Sequence, residues 1–202
     1  MKAVALVASA REKGNCYDFA EFMLKRVAAA NVETELINFF NYQIIPCQKC
    51  SYECVQKFDP EKGVNTKCPI KDDVETIWKK MWAAEILILF IPTYGGLPPA
   101  LWVAFCQRLQ GIFEKPPTEE KDFVVSAVIL ASPQWSQISE RTPSIVADFM
   151  KNINRKVAGF EIINNAGFET ENLFGELIYE KEIQRRLEFL TDRTLKAARK
   201  TL

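Results

Sequence analysis

Five short strand-like segments alternate with segments of helical periodicity, and this alternation constrains the fold more than any other feature of the chain. The clearest segment is Ile86–Ile91, which is apolar at every position, as expected of a strand buried on both faces of a parallel sheet. The other predicted strands are Lys2–Ala8, Glu33–Phe40, Phe123–Leu130 and Val157–Ile163. The pattern predicts one α/β domain over residues 1–202, a doubly wound parallel sheet of strand order 2-1-3-4-5 with helices on both faces.

Helical periodicity places a helix after each predicted strand. The predicted helices are Asn15–Ala30, Asp72–Ala83, Pro98–Phe113, Ser144–Asn154 and a last one from about Leu173. Asp72 and Glu75 resemble a capping box at the start of the second helix. Between the second strand and that helix lies an irregular insertion at about residues 41–71, here called the cysteine segment, which holds four of the six cysteines.

Charge and composition exclude several function classes. The 26 basic and 26 acidic side chains balance, so no net field favours nucleic acid or an anionic membrane as a partner. The longest apolar run, Ile86–Pro92, is too short to span a bilayer, and the N-terminus lacks the pattern of a signal peptide. We therefore expect a cytoplasmic protein. The chain has no histidine, which excludes Ser-His-Asp and Cys-His nucleophile systems and His-ligated metal centres.

Two loops stand out because each follows a strand beside the switch point of the predicted sheet, where ligands bind in such folds. The first is Ser9–Cys16, which leads from the first strand into a helix N-terminus. Free backbone N–H groups, the helix dipole and the charge of Arg11 together suit an anion, most simply a nucleotide phosphate. The alternative is an ordinary turn in which Asn15 caps the helix.

The second loop is Pro92–Leu97. Gly95 and Gly96 permit close backbone approach, their N–H groups suit the edge of a flat ring, and Tyr94 offers an aromatic surface. The alternative is a Pro- and Gly-rich loop with a partly buried tyrosine. Because both loops belong to one edge of the sheet, the ligand interpretation is favoured for the pair.

The chain from Met1 to about Phe113 resembles the NAD(P)H-dependent FMN reductase family of flavodoxin-like proteins, and especially its iron–sulfur flavoprotein branch. Three motifs carry the resemblance: Ser9-Ala10-Arg11 with Asn15-Cys16, Pro92-Thr93-Tyr94-Gly95-Gly96, and a cysteine pattern that ends in Cys68-Pro69-Ile70-Lys71-Asp72-Asp73. The C-terminal half resembles the family only in its alternation of strands and helices.

The resemblance implies an FMN cofactor. It places the phosphate on Ser9, Arg11, Asn15 and Cys16, and the isoalloxazine against Pro92, Thr93, Tyr94, Gly95 and Gly96. It also implies a homodimer or homotetramer. Cys16 stands where the family has a hydroxyl residue, and Ala10 stands where proline is common. The segment 131–137 lacks the glycines expected near a flavin, so its Trp135 is predicted to shape the pocket or to pack in an interface.

Cys47, Cys50, Cys54 and Cys68 form the pattern C-x2-C-x3-C-x13-C. Four thiolates in one irregular segment suit a 4Fe–4S cluster or, as a less favoured option, Zn²⁺. Unligated thiols or a disulfide are the remaining alternatives. Cys106 lies in an apolar helical stretch and is predicted to be core.

These observations favour an FMN-dependent oxidoreductase that takes electrons from NAD(P)H or from a ferredoxin-like donor. Because the cofactor carries the redox chemistry, no catalytic residue is assigned. Two alternatives stay open: a flavin electron carrier that turns over no small molecule, and a zinc-binding module on a flavodoxin-like scaffold.

Overall fold

The computed structural model describes residues 1–48, 50–56, 68–109, 123–131, 141–164 and 175–199, without the side chains of Val55 and Gln56. It contains a five-stranded sheet with the order β2-β1-β3-β4-β5, in which every neighbouring pair is parallel. This arrangement confirms the predicted flavodoxin-like fold class. The strands are β1 Lys2–Val7, β2 Glu33–Asn38, β3 Ile86–Pro92, β4 Val124–Ala131 and β5 Lys156–Asn164.

Helices cover both faces of the sheet. They are α1 Asn15–Ala29, α2 Glu53–Gln56, α3 Val74–Ala83, α4 Ala100–Arg108, α5 Arg141–Asn152 and α6 Lys181–Arg199. Side chains alternate along a strand, so Val4 and Leu6 of β1 join an apolar cluster with α3, α4 and α5. Ala3, Ala5 and Val7 join the opposite cluster with α1 and α6. Two apolar layers therefore hold the sheet, and its edge at the carboxyl ends of the strands carries the loops.

The predicted element boundaries needed several corrections. Strand β2 ends at Asn38 instead of Phe40, because the Asn38 side chain accepts a hydrogen bond from the Phe40 N–H and starts a 3-10 turn. Helix α5 begins at Arg141, before the predicted Ser144. Helix α6 begins at Lys181, after a separate 3-10 turn Leu177–Tyr179. The predicted end of the helix from Pro98 to Phe113 and the predicted start of the last helix at Leu173 lie outside the described residues.

The Asp72 part of the predicted capping box at the start of α3 is present, whereas its Glu75 part stays a prediction. The helix begins at Val74, and its cap residue Asp73 makes no side-chain capping bond. The Asp72 carboxylate accepts a hydrogen bond from the Val74 N–H at 3.2 Å, but it also forms a buried ion pair with Arg108. A tertiary partner, absent from the local sequence, thus determines how Asp72 is used.

Among the described residues, no helix combines the length and the apolar character that crossing a membrane requires.

Candidate functional site

The two loops predicted to share one edge of the sheet contact each other. The Ser9 hydroxyl lies 3.2 Å from the Tyr94 hydroxyl, and the Ala10 N–H donates to the same Tyr94 oxygen at 3.4 Å. Within the first loop, the Arg11 N–H donates to Ser9 Oγ at 3.1 Å. The turn after β3 and the loop after β1 therefore form one continuous wall.

This wall lines a cavity at the N-terminus of α1. Seven of the nine predicted cofactor residues line it: Ser9, Arg11, Asn15, Cys16, Pro92, Thr93 and Tyr94. Six further lining residues were not among the predicted cofactor residues: Lys13, Gly14, Tyr17, Leu130, Ala131 and Leu177. Leu130 and Ala131 end β4, and Leu177 precedes the last helix, so only the assembled fold brings them to this place.

Gly95 and Gly96 lie beside the cavity wall instead of in it. They are the central residues of a tight turn in which Tyr94 and Leu97 exchange two backbone hydrogen bonds, of 2.8 and 3.1 Å. Both have positive φ, 56° for Gly95 and 81° for Gly96, which is the conformation of a type I′ turn that glycine adopts without strain. Their role toward a flavin ring stays a prediction.

The first turn of α1 places backbone N–H donors at the cavity, where the sequence predicted a phosphate. Gly14 precedes it with a φ of 146°, a left-handed conformation that glycine tolerates best. The N–H groups of the first helical turn have no acceptors within the helix. Asn15 does not cap the helix; its side-chain oxygen accepts a hydrogen bond from the Leu177 N–H at 3.2 Å. That bond ties the start of α1 to the chain before α6.

Cys16 is a neutral, buried thiol. Burial raises its pKa to about 12, an effect that the nearby Arg11 charge partly opposes. Because the thiolate is the reactive form, Cys16 is an inert member of the site at neutral pH. Cys16 packs in the apolar cluster beneath the start of α1.

Thr93 provides an internal test of whether a cofactor fits this cavity. Its Oγ1 atom is buried and has no hydrogen-bond partner among the described residues, although the Thr93 N–H donates to the Leu130 carbonyl at 2.8 Å. Buried hydroxyls of this kind are rare unless a ligand or water completes them. A polar ligand in the cavity would supply the missing partner.

The cavity has a volume of about 120 Å³. Pockets that enclose a whole small-molecule ligand usually measure roughly 300–1,000 Å³, so a flavin mononucleotide would extend beyond it. The described part of the β4 end stops at Ala131, and the predictions for segment 131–137 and Trp135 otherwise lie outside the described residues.

The four predicted metal-binding cysteines are free thiols of different exposure. Cys47 is exposed, Cys50 and Cys68 are half-buried and Cys54 is buried. The pKa of Cys54 is raised, first by burial and then by the charges of the other three sulfurs, so the four lie in one neighbourhood. Within the described part of the chain, however, no three Cys, Asp or Glu side chains are arranged to hold a metal ion.

Arg108 is a residue of this region that the sequence did not reveal. It lies in α4, is buried in the protein, and donates through Nε to Cys68 Sγ at 3.2 Å. The signal that could have revealed Arg108 was its charge, because it ends a largely apolar helical stretch. The neighbouring Cys106, predicted to be core, is half-buried against the apolar cluster, and burial raises its pKa to about 12.

Comparisons with known proteins agree with this fold. Two curated relatives are an iron–sulfur flavoprotein of Methanocaldococcus jannaschii, 36% identical over 96 residues, and an iron–sulfur flavoprotein of Methanosarcina thermophila, 30% identical over 108 residues. These matches cover 48% and 54% of this chain, and the chain spans 45% and 52% of the two relatives.

Among solved structures, the NAD(P)H:quinone oxidoreductase of Methanothermobacter marburgensis has a TM-score of 0.64 at 16% identity, with 98% of this chain and 94% of that chain covered. At this identity the likeness concerns the fold. The description "NADPH-dependent FMN reductase" belongs to a family model that matches residues 1–134, which include both cavity loops and all four cysteines of the segment. The resemblance inferred from the motifs is confirmed: the chain belongs to the NADPH-dependent FMN reductase family.

Proposed function

We propose that this protein is an FMN-dependent oxidoreductase that takes electrons from NAD(P)H or from a ferredoxin-like donor and passes them to an acceptor. The observation that carries the proposal is the cavity formed where the loops after β1 and β3 meet, with helix N–H donors on one side and the unpartnered Thr93 hydroxyl on the other. Family membership supports FMN as the ligand.

Each part of the cavity has a distinct task toward that ligand. The N–H groups at the start of α1, the Ser9 hydroxyl and the Arg11 guanidinium would hold the phosphate. Thr93 would complete its hydrogen bonding with a polar group of the cofactor. Leu130, Ala131 and Leu177 supply apolar surface that excludes water from the cavity.

Bound FMN would supply the redox chemistry itself, since its ring accepts a hydride and can release electrons singly. Burial raises the pKa of the Cys16 thiol to about 12, so the proposal gives it no acid–base role near neutral pH. The chain's part is therefore to bind, orient and shield the cofactor. No catalytic residue is assigned.

We extend the proposal to the cysteine segment, where Cys47, Cys50, Cys54 and Cys68 would hold a 4Fe–4S cluster. Three observations support it: four soft thiol donors in one neighbourhood, an Arg108 N–H directed at one of them, and the names of the two curated relatives. Thiolates are the ligands that such clusters require. Zinc is the less favoured occupant.

Anaerobic purification followed by a visible spectrum and metal analysis tests both cofactors. A flavin spectrum with about four irons per chain is the expected result for a 4Fe–4S protein. Zinc without iron would contradict the cluster, and a colourless protein that does not bind added FMN would contradict the flavin site. Steady-state oxidation of NADH and NADPH with a quinone or ferric acceptor then tests turnover, because an electron carrier would show almost none.

We also propose a homodimer or homotetramer, as the family resemblance implies. Leu97 and Val103, which flank the start of α4, are 46% and 39% exposed. Light scattering coupled to size-exclusion chromatography measures the mass directly, and a monomer at micromolar concentration would contradict the proposal.

A further inference from the structure

Arg108 uses every hydrogen-bond donor of its guanidinium on the cysteine segment and on Asp72, the residue that follows it. The group has five N–H donors, and all five have acceptors. Nε donates to Cys68 Sγ at 3.2 Å, Nη1 to the Ile45 carbonyl at 2.8 Å and to Asp72 Oδ2 at 2.7 Å, and Nη2 to the Ile70 carbonyl at 3.3 Å and to Asp72 Oδ1 at 3.1 Å. Arg108 and Asp72 form an ion pair whose side chains are 2% and 0% exposed, respectively.

These acceptors lie on the two ends of the cysteine segment. Ile45 stands two positions before Cys47, whereas Ile70 and Asp72 follow Cys68. Asp72 Oδ2 also accepts the Ile45 N–H at 2.8 Å, so the carboxylate itself bonds to both ends. Arg108 and Asp72 together determine where the chain enters and leaves the segment, and hence how Cys47 and Cys68 are placed.

A buried ion pair is an unusual means of holding two segments of a chain together. Its desolvation offsets much of its attraction, and apolar residues of the same volume often stabilise a core as well or better. Near Arg108 in the chain, Phe105 of α4 and Leu109, which follows the helix, both belong to the apolar cluster. Packing alone therefore does not account for a guanidinium at this position, whereas a sulfur that must be held and hydrogen-bonded does.

We propose that Arg108 is a positioning residue for a metal centre on the four cysteines, acting through its Nε–H bond to Cys68. Hydrogen bonds from a cation to a thiolate are charge-assisted, and groups that orient metal ligands in this way are part of the site's affinity. The inference rests on the proposed function, since it requires that the cysteines bind metal.

Titration of the metal-free full-length chain with Co²⁺ tests the inference, because thiolate-bound Co²⁺ has characteristic charge-transfer and ligand-field bands. Lysine cannot reproduce the planar fork of five donors. Arg108→Lys should therefore weaken Co²⁺ binding by about 10- to 100-fold, the usual effect of losing a group that orients a ligand. FMN affinity and far-UV circular dichroism show that the variant is folded.

Arg155→Lys is a matched control. Arg155 is also buried, and it donates to the backbone carbonyls of Met81 at 2.6 Å and Ala84 at 2.8 Å, near the amino ends of the strands. The control should leave Co²⁺ affinity unchanged. Equal Co²⁺ affinity in Arg108→Lys and the parent, or equal losses in the two variants, would overturn the inference.

A double-mutant cycle with Cys68→Ser asks whether Arg108 acts through this sulfur. If it does, Arg108→Lys should weaken Co²⁺ binding much less in the Cys68→Ser background than in the parent. Losses that multiply independently would show that Arg108 does not act through Cys68 and would overturn the inference.

A measurement on the parent chain keeps the test valid if Arg108→Lys fails to fold. In an NMR spectrum of ¹⁵N-labelled arginine side chains, added Cd²⁺ should shift the Nε–H signal of Arg108. That signal is assigned as the one that Cd²⁺ no longer shifts in Cys68→Ser. The Nε–H signal of Arg155 should stay in place. Cd²⁺ binding without movement of the Arg108 signal would overturn the inference alone. A parent chain that binds neither Co²⁺, Cd²⁺ nor iron would overturn the proposed metal centre as well.

Discussion

The hydroxyls of Ser9 and Tyr94 lie 3.2 Å apart, which joins two loops that are 85 positions apart in the chain. The Tyr94 oxygen also accepts the Ala10 N–H at 3.4 Å. Tyr94, predicted to face a flavin ring, thus contacts the Ser9 hydroxyl and the Ala10 N–H of the loop predicted to face the phosphate. Removing the Tyr94 hydroxyl therefore tests whether this contact competes with phosphate binding.

Replacing Tyr94 by phenylalanine should strengthen FMN binding. The change keeps the aromatic surface but removes the hydroxyl that competes for the Ser9 and Ala10 groups, and one hydrogen bond of this kind is worth about 1 kcal/mol. We expect the dissociation constant for FMN, measured by flavin fluorescence quenching, to fall by about fivefold. Riboflavin, which has no phosphate, is the control and should bind as in the parent. A similar loss of affinity for both ligands would contradict the competition.

Arg11→Glu should weaken FMN binding by at least about tenfold, because a charged hydrogen-bond partner of the phosphate is worth about 1.5–3 kcal/mol and the new carboxylate repels it. Titration calorimetry with FMN and with riboflavin measures the effect, which should be confined to FMN. Lys25→Glu changes the net charge equally at an exposed position later in α1, so it should have little effect. Unchanged FMN affinity in Arg11→Glu would place the phosphate elsewhere.

The buried thiol of Cys16 should make stability depend on pH in the alkaline range. Burial raises its pKa from 9.0 to about 12, so below about pH 9 the thiol is protonated in both the folded and the unfolded chain and its contribution is constant. As pH rises from about 9 toward 12, only the unfolded chain loses the proton. The free energy of unfolding should then fall by up to ~1.4 kcal/mol per pH unit for this thiol.

Urea unfolding at several alkaline pH values, in the presence of a reductant, measures this slope. Cys16→Ala is the control, because all other titrating groups are shared and the variant should show a shallower fall. Identical slopes in the two proteins would show that Cys16 does not titrate with the raised pKa.

Gly159→Ala should destabilise the packing of α6 on β5. A Cβ atom at this position would overlap Cδ1 of Leu190, which is 2% exposed, and overpacking of this kind costs about 1–3 kcal/mol. Thermal and urea unfolding should show the loss. Leu190→Val, which shortens the opposing side chain, should restore part of it in the double variant. Additive losses would mean that the two residues do not compete for the same space.

Local sequence patterns determined the sheet and the positions of the two cavity loops. The uniformly apolar β3, the helical periodicities and the flanking glycines specify element types through interactions between near neighbours, so the strand order and most of the cavity residues were predictable. The motifs likewise sufficed to recognise the family. What the local pattern did not reveal, as at Asp72, is a second, distant partner of the same side chain.

Only the tertiary structure decided how those elements are joined at the site. The Leu177 N–H bonds to Asn15, and the Tyr94 hydroxyl contacts that of Ser9. Arg108 bonds to both ends of the cysteine segment. None of these pairs shares a local pattern, because each contact depends on where the chain returns after crossing the sheet. The sequence alone thus determined which residue types are present at the carboxyl edge, and packing of the helices on the sheet decided which of their polar atoms face one another.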